Sequence, residues 1–124
     1  MVALARQFLK GSQTLLRMVS NVDPWIVEHA RTTFGLGDLF QDGVFSFLAE
    51  VNPKDVDASM WQLARQRGLK DLAAPQAFTI ATDDTASHLE RVQLENTADL
   101  CICFRNPAQW LFELSRHGIR LPLM

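Results

Sequence analysis

Three Asx-Pro pairs, Asp23-Pro24, Asn52-Pro53 and Asn106-Pro107, punctuate this chain, and each is followed by a glycine, at Gly35, Gly68 and Gly118. Asp or Asn accepts from the free N–H groups at a helix start, and proline fits the first helical position. Glycine takes the left-handed conformation that ends a helix. The spacing therefore predicts helices over 24–34, 53–67 and 107–117. Gln109 completes a capping box with Asn106, and Arg116 and His117 sit at the negative end of the last helix dipole.

Leu4, Phe8, Leu15, Leu16 and Val19 share one helical face, so a further helix is expected over 3–19, bent at Gly11. Phe40, Val44, Phe47, Leu48 and Val51 also follow a helical stripe, with Asp38 and Gln41 as a capping box. They predict a helix over 39–51, although Val44 to Leu48 also reads as a strand. After Pro75 the pattern changes. Residues 78–82 are β-branched and short, 89–94 alternate around Val92, and 99–104 are nearly all apolar, which predicts three strands. Short, turn-rich joints at 83–87 and 95–98 would make them an antiparallel meander. A final strand over 119–123 is held to an edge by Pro122. The expected fold is α+β: a helical N-terminal half packed on a small, mainly antiparallel sheet of three to four strands from the C-terminal half. At 124 residues and 48% hydrophobic, the chain is sized for one domain spanning 1–124.

Composition removes several functions. Twelve Lys and Arg against fourteen Asp and Glu leave a net charge of −2, without the basic excess that nucleic acid or an anionic membrane requires. A winged-helix reading of 53–67 fails on charge placement, because Asp55 and Asp57 occupy the end that would enter the groove while Arg65 and Arg67 lie at the other. Arg6 and Lys10 break the first apolar stretch, and no uncharged run reaches the roughly 20 residues that span a bilayer. Two cysteines, Cys101 and Cys103, are too few and too close for a disulfide framework. A cytoplasmic protein with free thiols is expected. Walker A, G-x-S-x-G, H-E-x-x-H and dinucleotide-binding strings are all missing, so neither a cofactor nor a metal is expected.

Cys101 and Cys103 project to one face of a strand and read as core packing, with a thiolate nucleophile served by His117 as the alternative. Asp83 and Asp84 follow a strand, where they serve as turn formers or as acid–base groups. His29, His88 and His117 have no ligand spacing and read as surface or capping residues.

Charge is more informative. Residues 36–62 hold Asp38, Asp42, Glu50, Asp55 and Asp57 against Lys54, a local balance of −4. Residues 76–100 hold Asp83, Asp84, Glu90, Glu95 and Asp99 against Arg91, again −4. If folded together, these segments form a negative face that steers a basic partner. Asp38, Asp42, Asp55, Asp57, Asp83 and Asp84 are therefore the expected partner-binding residues. Phe112 lies off the apolar stripe of the last helix, and with Leu121 and Leu123 it suggests a homodimer contact. The expected function is a small non-catalytic protein that recognises or neutralises a basic protein, in the manner of an immunity protein or antitoxin acting on a nuclease toxin. Two alternatives stand beside it: a small enzyme with its site near Asp83, Asp84 and the cysteine strand, and a homo-oligomeric module that binds a small ligand.

Overall fold

The structure, a computed structural model, describes residues 17–33 and 43–119. Helices and strands alternate along them: β1 (Val19–Ser20), α1 (Pro24–Thr33), β2 (Val44–Phe45), α2 (Ser59–Leu72), β3 (Ile80–Asp83), α3 (Ala86–Leu94), β4 (Leu100–Cys103) and α4 (Pro107–Arg116). β1 pairs with β2 and β3 with β4, both in parallel, with Asp83 opposite Cys103 at the carboxyl end of the second pair.

This corrects the expected architecture. Instead of a helical half packed on an antiparallel meander, the described residues form two two-stranded parallel sheets interleaved with helices. The decisive segment is 89–94, expected as a strand and found inside α3. Leu89 and Val92 are three apart and both buried on one helical face, while Leu94, which completed the alternation, is 83% exposed. A helix between two strands returns the chain to the end where it began. The second strand must then run parallel to the first, which a tight turn cannot achieve.

Three other expected helices differ from what is found. Within 39–51, residues 39–42 lie outside the described ones, and the remainder forms β2 followed by turns. Val44 and Phe45 are both buried, Val44 against Met60 and Ala64 of α2, so pairing with β1 outweighs the helical stripe. The helix expected over 53–67 starts at Ser59 and runs through Gly68 to Leu72. It stops at Ala73, which adopts the left-handed conformation (φ 52°) two residues before Pro75. Of the helix expected over 3–19, residues 3–16 lie outside the described ones, and Val19 belongs to β1. The strand expected over 119–123 falls almost wholly outside them.

Other elements follow their local signals. α1 starts at Pro24, and α4 starts at Pro107 with the Asn106 side chain accepting from Gln109 N–H at 2.8 Å. Gly118 (φ 72°) follows the end of α4. The β3–β4 sheet is covered on both faces, as parallel strands require. One face carries Ala81, Cys101 and Cys103 against Leu89 and Val92 of α3 and Trp61 of α2. The other packs Ile80, Leu100 and Ile102 on Trp110 and Leu114 of α4, where Trp110 Nε1 donates to Thr82 Oγ1 at 2.9 Å. Val19 touches both the Trp61 cluster and the Met60 cluster, which ties β1 to the β3–β4 layer.

Candidate functional site

Parallel strands deliver their carboxyl ends to one side of a sheet, and in open α/β folds ligands bind there. β3 ends there with Asp83, whose side chain is 3% exposed. A carboxylate so deeply buried must be compensated. Its Oδ1 accepts from Thr85 N–H at 2.8 Å, where the chain turns into α3, and its Oδ2 accepts from Lys54 Nζ at 2.7 Å. His88 Nδ1, from the first turn of α3, lies 3.4 Å from the same Oδ2. Burial pushes the Asp83 carboxyl up, but the Lys54 hydrogen bond, the Thr85 amide and the Lys54 charge outweigh it, so the net displacement is below the usual carboxylate range.

Lys54 is itself nearly buried, with its ammonium 5.0 Å from the centre of the Trp61 ring. Its backbone N–H donates to Asn21 Oδ1 at 3.1 Å, just beyond the end of β1. One residue thus joins the carboxyl ends of both sheets.

The two acidic segments do meet here. At the opposite end of α3 from the Lys54–Asp83 pair, Glu95 accepts from Ala58 N–H (2.9 Å) and Gln62 Nε2 (3.2 Å) at the start of α2. A carboxylate at that place satisfies a free helical donor and the dipole together. Arg91 also acts on Asp57 through its charge. The single cation of the first segment, Lys54, is therefore paired with a carboxylate of the second.

Of the residues expected to bind a partner, Asp83 is buried and occupied. Asp57 accepts from Ser59 N–H (2.9 Å) and Asn52 Nδ2 (2.8 Å), and these hydrogen bonds from Ser59 and Asn52 hold its carboxyl below the ordinary value. Asp55 and Asp84 are exposed, each one residue along the chain from the Lys54–Asp83 pair, and Asp84 accepts from Thr85 Oγ1 at 3.2 Å. Asp38 and Asp42 lie outside the described residues, as do Leu121 and Leu123 of the expected dimer contact. Phe112 is 62% exposed on α4. Cys101 packs beside Trp61, where burial pushes its thiol up and away from the reactive thiolate. Cys103, opposite Asp83, donates weakly to the Asp84 carbonyl at 3.8 Å.

Sequence reading missed Lys54, His88 and Glu95 as members of this site. Lys54 carried a usable signal, as the single cation in a segment of five carboxylates. His88 and Glu95 carried none, because their positions depend on α3 being a helix. Among the described residues no three His, Cys, Asp or Glu side chains are grouped to hold a metal ion, and no helix is long and apolar enough to cross a membrane.

Compared with protein-family models, with curated proteins and with solved structures, the chain gives no match.

Proposed function

We propose that this protein is a non-catalytic binding module that recognises a basic protein partner at the carboxyl end of β3 and β4. The observation that supports this reading is the convergence of the two acidic segments there. Lys54 consumes the Asp83 charge internally, and Asp55 and Asp84 are left exposed beside the pair. Exposed carboxylates on a common edge steer a cationic partner and set its register. An oligolysine peptide serves as probe. It is expected to bind with an affinity that falls as salt rises, and replacing Asp55 and Asp84 together by Asn should weaken binding about tenfold, mostly through slower association. Equal binding by the parent and the double variant would count against the reading.

One contact favours a second reading, a small acid–base enzyme at the same edge. His88 Nδ1 lies 3.4 Å from Asp83 Oδ2 without a hydrogen bond between them, so a small shift of the ring would let the carboxylate orient it as it does a catalytic imidazole. In that case Cys103, across from Asp83, is the available nucleophile. Its alkylation by iodoacetamide in the native protein should outpace that of Cys101. Complete protection of Cys103 removes the thiol mechanism.

A further inference from the structure

Residues 52–58 form a strap that runs from the carboxyl ends of β1 and β3, where Lys54 is tied, to the end of α3, where Ala58 meets Glu95, and polar contacts hold it there. Asn52, Pro53, Asp55 and Val56 are all exposed, with Val56 50% exposed, so their side chains add little burial to fix the segment. The ties are Lys54 N–H to Asn21 Oδ1, Lys54 Nζ to Asp83 Oδ2 and Ala58 N–H to Glu95 Oε2. Lys54 on Trp61 and buried Ala58 supply the apolar contacts. Segments with few buried apolar contacts open at the low end of a protein's local stabilities.

We propose that Lys54 is an internal stand-in for the partner's cation: it occupies Asp83 in the free protein, and a lysine or arginine of a basic partner displaces it and releases the strap. The proposal rests on the basic-partner reading above and adds its regulation. It follows from the chemistry of the pair. An ammonium held on a buried carboxylate at 2.7 Å is the contact that an incoming ammonium would make, and Asp55 and Asp84 on either side would guide that group inward. Displacement returns Lys54 to water, while the carboxylate exchanges one cation for another and is never left bare. Until it occurs, the strap lowers apparent affinity by the fraction of molecules in which it is closed.

Oligolysine titration with two readouts tests the proposal. Hydrogen exchange of the unmodified protein should rise at the Lys54 and Ala58 amides when the peptide binds. Lys54→Met, which keeps apolar contact with Trp61, should bind the peptide on the order of tenfold more tightly than Lys70→Met, an exposed substitution with the same charge change on α2. If oligolysine binds in a manner that needs Asp55 and Asp84, yet those amides keep their protection, the displacement is wrong and the basic-partner reading survives. Equal binding by the two lysine variants likewise overturns the displacement alone. If oligolysine does not bind, both fall together. Should Lys54→Met fail to fold, the exchange experiment decides alone.

Discussion

Asn52-Pro53 and Asn106-Pro107 are the same dipeptide, and the protein uses them differently. At Asn106 the side chain accepts from Gln109 N–H, Pro107 is the first helical residue, and α4 begins at once. At Asn52 the side-chain amide donates to Asp57, its backbone N–H donates to Ser59 Oγ, and α2 waits until Ser59. Two things differ. After Pro53 comes Asp57, whose carboxylate accepts from the N–H of Ser59, the first residue of α2. Lys54, next to the proline, is drawn away to Asp83. A capping signal therefore acts locally only where no distant charge has a claim on the residues it would enclose.

The largest effect should come from removing that distant claim. Asp83→Asn leaves Lys54 nearly buried and unpaired, so unfolding free energy in urea should fall by about 3–5 kcal/mol at neutral pH. A loss under about 1 kcal/mol would show that the strap, not Asp83, delays α2. The same variant should change the acid limb. A carboxyl depressed on folding contributes stability that is present above its unfolded value, near 3.9, and is lost as pH falls through the lower folded value. Parent stability should thus decline below about pH 4, and Asp83→Asn should decline less steeply, the remaining slope including Asp57, which is depressed in the same direction.

Smaller effects sharpen the comparison. Asn106→Ala should cost about 1 kcal/mol, the ordinary value of a helix cap. Asn52→Ala, at an exposed site where it supports Asp57 and caps no helix itself, should cost less than about 0.5 kcal/mol. Equal losses in paired urea titrations would mean that the two dipeptides do the same work after all.

Much of the candidate site is hidden in the sequence because it hangs on the period of one short segment. Asp83, Asp84 and the cysteine strand are visible as a strand-end cluster, and the two acidic zones are visible as charge. With 89–94 read as a strand, however, His88 has no reason to turn back on Asp83, and Glu95 none to reach Ala58. Leu89, Val92 and Leu94 are compatible with either period over so short a run. Burial of the first two against Ala81 and Trp61 is what decides.

Local signals alone set where α1 and α4 begin, placed strands over most of 80–83 and 100–103, and marked which segments carry negative charge. These are properties of neighbours: a cap, a proline, a run of β-branched or apolar side chains. Long-range packing set the rest: β3 and β4 run parallel, Val44 and Phe45 form a strand, and α2 starts six residues after Pro53. Each of those outcomes depends on a partner distant in sequence, whose burial or charge outweighs local preferences of a few tenths of a kcal/mol per residue.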